Sequence, residues 1–294
     1  MIPAAFKYAA PTSVAEALAI LGAGDGEAKV LAGGHSLLPL MKLRLAAPSV
    51  LVDINRIPGL SYLREDDGIA RLRIGARTRH VEIERSELIR ARYPLLSDAA
   101  GGIGDPQVRN RGTIGGSLAH GDPASDWPAV ALAADAEIVV VGPGGERVIA
   151  APDFFVDTFV TALAADELLT EVRIPLRRLS GGGAYEKLER KVGDYATIGV
   201  AAQIALDSFG NVGEVGIGLC NAGPSSIKAV AAEAFLRGKP PAPDNVNEAA
   251  RLAMAASAPI ADDRGPVDYK RAMVQELTRR ALRRAIERAK EASA

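Results

Sequence analysis

Two pairs of adjacent glycines, each followed within two residues by a small hydroxyl residue, are the parts of this 294-residue chain best suited to chemistry: Ala32-Gly33-Gly34-His35-Ser36 and Thr113-Ile114-Gly115-Gly116-Ser117. Glycine has no Cβ, so its backbone reaches positive φ and lets a bulky anion come close. Consecutive exposed amide N–H groups in such a turn form a concave anion-binding nest. One pair alone reads as a tight turn that serves only the chain. Two nests suit a ligand with two phosphates, a dinucleotide. The first is not a Walker loop, because no Gly-Lys-Ser/Thr follows at the right spacing. It is not a Rossmann fingerprint either, which needs G-x-G-x-x-G opening a helix, and Pro39 stands inside what would be that helix.

Other residues near these segments have two readings each. In Asp122-Pro123-Ala124-Ser125-Asp126 the aspartates could accept hydrogen bonds from ribose or adenine, or Ser125 or Asp126 could cap the next helix. His35 could be a general base, a phosphate donor, a flavin contact or a structural donor. Lys187 could steer an anionic ring or phosphate, and Tyr195 could stack on a planar ligand, or both could be surface and packing residues. Arg109 and Arg111 either pair with phosphate or face water. There is no Gly-x-Ser-x-Gly elbow. Cys220 sits in an apolar run and reads as buried and inert. The residues propose no catalytic group and no metal ligand set; they suit a protein that binds a redox cofactor and lets it supply the chemistry.

The elements that must position these segments are legible in part. Ser13-Val14-Ala15-Glu16 is a capping box opening a helix that ends near Gly22. Short strands are expected at residues 29–32, 50–54 and 72–76, with Thr78 capping the helix after the third. Helical pattern runs through 87–92 and 95–100. Residues 101–128 are punctuated by glycine and proline and read as loop-rich, followed by a helix at about 127–134. A hairpin around Pro143-Gly144-Gly145 spans 137–149, and a strand at 167–174 stops at Pro175. A domain boundary falls at Ser180-Gly181-Gly182-Gly183. Strands at 184–190, 198–206 and 212–220, helices near 227–236 and 246–256, and a long basic helix with Met273, Leu277, Ala281, Ala285 and Ala289 every four residues make an α+β second domain. That basic helix is either a solvated face or a dock for an acidic partner.

Composition bounds the function. A formal net charge of −1 gives no reason to expect nucleic acid or a membrane surface as partner. One cysteine excludes a disulfide framework and a Cys-ligated iron–sulfur cluster held by this chain alone, and it fits a reducing compartment. No apolar run approaches the roughly 20 residues of a spanning helix. The first residues lack a secretory pattern, so a cytoplasmic protein is expected.

At these motifs the chain resembles a known family. The run Lys29-Val30-Leu31-Ala32-Gly33-Gly34-His35-Ser36-Leu37-Leu38-Pro39 resembles the FAD pyrophosphate loop of the flavoprotein subunits of the molybdenum hydroxylases. Thr113 to Ser117, with Gly121 to Asp126 after it, looks like their second FAD loop. Glu189-Arg190-Lys191-Val192-Gly193-Asp194-Tyr195-Ala196 is similar to the segment that closes over the flavin. The likeness covers nearly the whole chain, and the carbon monoxide dehydrogenase branch is nearer than the xanthine dehydrogenase branch.

The resemblance implies an α+β fold: a two-part FAD-binding domain of the vanillyl-alcohol-oxidase (PCMH) type over residues 1–176 and a small α+β C-terminal flavoprotein domain over 180–294. It implies that Ala32 to Leu37 hold the pyrophosphate from one side, with Lys29, Val30 and Leu31 leading in. Ile103, Gly104, Thr113, Gly116 and Ser117 would line the other side. Asp126 would sit near the adenosine ribose, with Leu169 and Lys187 towards the isoalloxazine and Tyr195 beside it. Tyr195 stands where the xanthine dehydrogenase branch has an acidic residue, which disfavours NAD. FAD without a covalent bond to His35 is expected. The resemblance further implies an iron–sulfur small subunit with two [2Fe–2S] clusters, a molybdopterin large subunit, a heterohexamer of two trimers, a quinone or other acceptor, and membrane contact only through partners. An autonomous FAD oxidase or reductase of the same fold, and a non-enzymatic nucleotide-binding assembly module, are the alternatives.

Overall fold

The computed structural model describes residues 2–24, 26–176 and 181–293. The chain begins with β1 (Lys7–Ala9), α1 (Val14–Ala23), β2 (Ala28–Leu31), α2 (Leu37–Lys42) and β3 (Val50–Asp53). The strands form a parallel sheet in the order β1-β3-β2. Ser13 caps α1 by accepting the Glu16 amide, and the Glu16 carboxylate accepts the Thr12 amide at 2.7 Å. Ala17 and Leu21 of α1 bury against Ala28, Val52 and Ile54. The helix α2 forms although Pro39 is in it. Pro39 falls in the first turn, where a missing N–H costs no intrahelical bond.

A second unit follows: β4 (Leu63–Asp66), β5 (Arg71–Gly75), α3 (His80–Arg85), α4 (Glu87–Arg92), α5 (Pro94–Gly102), α6 (Pro106–Arg109), α7 (Ile114–His120), α8 (Asp126–Ala133), β6 (Glu137–Gly142), β7 (Gly145–Ala150), α9 (Ala151–Phe154), β8 (Phe155–Asp157), β9 (Val160–Thr161) and β10 (Leu168–Pro175). Five strands pair antiparallel in the order β4-β5-β10-β6-β7. Their alternate residues Leu72, Ile74, Ile138, Val140, Val172 and Ile174 enter one core with Trp127 and Leu95.

Three local expectations fail here. The stretch expected to be loop-rich contains α6, α7 and the start of α8. Asp105 and Thr113 cap the first two with side-chain acceptors, and Pro106 sits where helices tolerate it. Gly115 is a packing position rather than a turn: a Cβ there would lie 2.6 Å from the Ala76 Cβ. Thr78 does not cap α3; its hydroxyl exchanges hydrogen bonds with the Tyr62 backbone, at 3.1 Å from the amide and 3.0 Å to the carbonyl. Arg79 takes the cap position, its amide held by Glu82.

The last unit is β11 (Gly182–Leu188), β12 (Ile198–Leu206), β13 (Val212–Cys220), β14 (Ile227–Lys228), α10 (Val230–Leu236), α11 (Pro243–Ala256) and α12 (Val267–Ser293). The four strands are antiparallel in sequence order. Residues 227–228, expected to open a helix, instead pair with Gly218 and Leu219 as β14. Of the Ser180–Gly183 run, Ser180 lies outside the described residues, and Gly182 opens β11. Helices α10–α12 cover one face of this sheet. On the other lies α8: a Cβ at Gly216 or Gly218 would land on the carbonyls of Ala133 or Ala129, so only glycine permits that approach. Every residue of α8 is buried. Asp98 of α5 accepts from Arg284 at 2.9 Å and Arg288 at 2.7 Å of α12, which occupies part of that helix's basic face. Among the described residues no helix is long and apolar enough to cross a membrane.

Candidate functional site

A cavity of about 830 Å³ runs between the three units, within the size range of cofactor sites. Sixteen of the eighteen residues singled out from the sequence line it: Lys29, Val30, Leu31, Ala32, Gly34, His35, Ser36, Leu37, Ile103, Gly104, Gly116, Ser117, Asp126, Leu169, Lys187 and Tyr195. Gly33 and Thr113 are not among the residues that line it.

The first glycine loop joins the end of β2 to α2. Among the described residues, none of the amides from Gly33 to Leu37 donates to a backbone carbonyl. That is the donor row an anion needs. His35 Nδ1 lies 3.2 Å from the Gly33 carbonyl, a structural donor's place. Gly33 is needed for a different approach than expected: its Cβ would strike the Arg111 carbonyl and lie 2.8 Å from Gly112 Cα. It lets the loop press against the connection from α6 into the second glycine pair.

The second pair is not an amide nest. Ile114 N–H donates to the Thr78 carbonyl at 3.0 Å and Gly115 N–H to the Ala76 carbonyl at 2.9 Å. Gly116 N–H donates to Thr113 Oγ1 at 3.2 Å, and Ser117 N–H to the Thr113 carbonyl at 3.0 Å. All four amides are committed inside the fold, so this segment offers a smooth wall and the Ser117 hydroxyl, which lies 2.5 Å from that of Ser125. Arg109 neither faces water nor is free for phosphate. It pairs with Glu84 at 2.9 Å and holds the Ile103 and Gly104 carbonyls at 3.0 Å, bracing the wall they form. Arg111 is exposed beside Asp53 and helps keep that carboxyl ionised.

Elsewhere in the wall Lys187 Nζ is buried between the Gly102 carbonyl at 3.0 Å and Asp126 Oδ2 at 3.3 Å, with Glu189 at 3.4 Å. Asp126 also accepts the Tyr185 hydroxyl at 2.6 Å. Burial pushes the Asp126 carboxyl up, opposed by Lys187 and Tyr185. Tyr195 is half-exposed at the mouth; desolvation, with Asp122 and Asp126, raises its phenol, while a hydrogen bond with Ser36 opposes them. Asp126, Lys187 and Tyr195 therefore stand on one stretch of the cavity wall. The resemblance puts Asp126 near the adenosine ribose and Lys187 towards the isoalloxazine; here the two are partners of one ion pair. Sequence distance to Gly116 gave no measure of Asp126's depth.

Two histidines sit close by. His80 is buried, pushed down to about 3 by desolvation and by the neighbouring charge of His35. It is neutral, and its Nδ1 accepts the Trp127 indole N–H at 3.1 Å. His120 lines the cavity with its ring 5.0 Å from that of Phe159; burial lowers it, against Asp122. Phe159 and Val160, on the β8–β9 hairpin, also line the wall. Sequence gave no signal for these residues, since the hairpin carries no glycine or proline turn. Cys220 is buried, with Sγ 3.2 Å from the Ser125 carbonyl, and burial pushes its thiol up, so it is inert.

A row of free amides, a fixed ammonium and a largely apolar wall in one cavity fit FAD. The comparisons with known proteins agree. Residues 4–177 match the FAD binding domain in molybdopterin dehydrogenase, and residues 183–285 match the CO dehydrogenase flavoprotein C-terminal domain. The chain is 46% identical to the carbon monoxide dehydrogenase medium chain of Hydrogenophaga pseudoflava, over 96% of this chain and 97% of that one. It is 38% identical to the 6-hydroxypseudooxynicotine dehydrogenase complex subunit alpha of Paenarthrobacter nicotinovorans, over 99% and 97%. A solved Hydrogenophaga pseudoflava carbon monoxide dehydrogenase superposes with a TM-score of 0.95 at 48% identity, over 98% of this chain and 100% of that one. Quinoline 2-oxidoreductase from Pseudomonas putida 86 gives 0.90 at 31%, over 98% and 99%. The chain belongs to the FAD-binding medium subunits of the molybdenum hydroxylase family, the carbon monoxide dehydrogenase-like oxidoreductases.

Proposed function

We propose that this chain is the electron-relay subunit of a cytoplasmic molybdenum hydroxylase complex. Its FAD would take electrons from the [2Fe–2S] clusters of a small subunit, supplied by a molybdopterin large subunit, and hand them to a quinone or another acceptor. The observation that carries the reading is a cavity joining free amides to a fixed ammonium in a chain alike to medium subunits from end to end. A bound flavin supplies the redox chemistry, taking electrons singly and releasing them in pairs.

The chain's own residues bind and orient. The amides from Gly33 to Leu37 would take the diphosphate, with Ile103, Gly104, Gly116 and Ser117 as the opposing wall. Leu169 and Lys187 would face the ring. Lys187, pinned by Asp126 and the Gly102 carbonyl, would favour negative charge arriving there on reduction. Tyr195 would shield the ring from water. His35, engaged with the Gly33 carbonyl, would leave the FAD non-covalent. A single cysteine supports placing the clusters on another chain. The oxidised substrate would be chosen by the large subunit: relatives alike over their whole length are named for carbon monoxide, 6-hydroxypseudooxynicotine and caffeine. Carbon monoxide is the reading that identity favours, and two copies of each of three subunits the assembly.

The test is native purification through this chain, followed by analysis for molybdenum, iron and heat-released nucleotide. Copurifying metals and FAD released by heat are expected. Turnover by the chain alone would establish an autonomous oxidase instead, and a colourless protein that stays so with added FAD would leave only the assembly module.

A further inference from the structure

Asn55 lies outside the cavity, in the 3₁₀ turn Ile54–Arg56 that follows β3. Its side-chain nitrogen reaches the first glycine loop and donates to the Ala32 carbonyl at 2.9 Å. The same nitrogen donates to Asp53 Oδ1 at 2.6 Å. Both partners are acceptors only, so the amide has one orientation, nitrogen towards Ala32. Asp53 is fixed in turn: Oδ1 also receives the Asn55 backbone N–H at 2.9 Å, and Oδ2 receives the Tyr8 hydroxyl at 2.6 Å. A line of hydrogen bonds thus runs from β1 through the end of β3 to the loop.

The direction of that pull matters. In a trans peptide the C=O and N–H point to opposite sides. Drawing the Ala32 carbonyl towards Asn55, away from the cavity, turns the Gly33 N–H the other way. One peptide on, the contact of His35 Nδ1 with the Gly33 carbonyl does the same for the Gly34 N–H. Ala32 and Gly34 line the cavity; Asn55 does not.

We propose that Asn55 is a positioning residue for the cofactor's diphosphate: it holds the Ala32 carbonyl out of the cavity and so presents the Gly33 N–H to a phosphate oxygen. Without it the peptide is free to turn over and bring the negative end of its dipole towards the phosphate. The inference rests on the reading that residues 33–37 take the diphosphate.

The experiment uses the full-length chain stripped of flavin, with FAD displaced by ADP, which keeps the diphosphate, or by adenosine, which has none. Asn55→Leu removes the donor at similar volume and adds no charge; Asn55→Ala serves if the leucine variant does not fold. Loss of one such hydrogen bond is expected to weaken ADP and FAD ~5- to 10-fold and to leave adenosine unchanged. Equal weakening of ADP and adenosine, or none of either, would overturn the positioning role. If the unaltered chain binds ADP no better than adenosine, the diphosphate reading itself fails, which is a separable result.

Discussion

At residues 33–37 the backbone keeps a row of amides out of any hydrogen bond to the chain's own carbonyls, while at residues 114–117 all four amides are satisfied by Thr113, Thr78 and Ala76. Both segments are built from two glycines and a serine, and both border the same cavity. They differ in what surrounds them. The first is suspended between a strand and a short helix, its carbonyls tied back by Asn55 and His35. The second is the first turn of α7, whose amides would be orphaned without the Thr113 cap and the neighbouring carbonyls. One glycine pair supplies donors. The other supplies closeness, letting a helix pack against Ala76 and present a bare wall.

The largest expected effect comes where the two segments touch. Gly33→Val drives a side chain into the Arg111 carbonyl and Gly112. Overpacking against backbone typically costs ~1–3 kcal/mol or more, so both the thermal midpoint and the flavin absorbance of the purified protein should collapse. A midpoint within a degree or so of the parent would show that the loop has room the structure denies it. Gly116→Val should separate the two quantities. That glycine faces solvent and the cavity, and the contact it would crowd is the Thr113 hydroxyl at 2.8 Å. Flavin should be lost with a much smaller fall in stability; retention of flavin would remove Gly116 from the cofactor wall.

Thr113→Val tests the comparison from the opposite side. Removing an N-cap costs ~1 kcal/mol, and the amide it releases is not one the cofactor uses. Stability should drop while ADP still binds better than adenosine by the parent margin. A change in that margin would mean that the second segment does contribute donors.

The smallest effect at neutral pH belongs to His80. Its folded value of about 3 lies below the ordinary 6.5, so the unfolded chain takes up a proton first. That stabilisation is complete above pH 6.5 and is lost as pH falls towards 3, at up to ~1.4 kcal/mol per unit. His80→Gln, which can still accept from Trp127, should be less stable than the parent at pH 7. Its deficit should shrink as the pH falls below 6.5. Parallel urea-denaturation curves at pH 7 and pH 5 would contradict a neutral buried His80.

Much of this architecture is legible in the residues. The near-continuous apolar runs Ile198 to Leu206 and Val212 to Cys220, and the four-residue spacing in α12, identify the last sheet and the helix on it because both faces of those strands and one face of that helix are buried. The glycine–hydroxyl pairs lead to the cavity. What each pair does there is not legible, since donor availability depends on partners remote in sequence: Ala76 for Gly115 and Asn55 for Ala32. The loop expected at 101–128 fails for a related reason. Glycine marks close approach as well as turns, and the surfaces approached are remote: Ala76, just after β5, for Gly115 and His80 for Gly112. The burial of Asp126 is not legible because it is set by Tyr185 and Lys187, some sixty residues on.

Helix α8, wholly buried between the four-stranded sheet and helices α5, α7 and α9, sets an order of events during synthesis. A ribosome delivers the first glycine loop and the second glycine pair long before β11, β12 and β13 exist. Until those strands arrive, one side of α8 is bare apolar surface, and the Lys187–Tyr195 stretch of the cavity wall has not been made. The nascent chain can therefore begin the cavity but cannot close it, and capture of the flavin must wait until the chain is essentially complete.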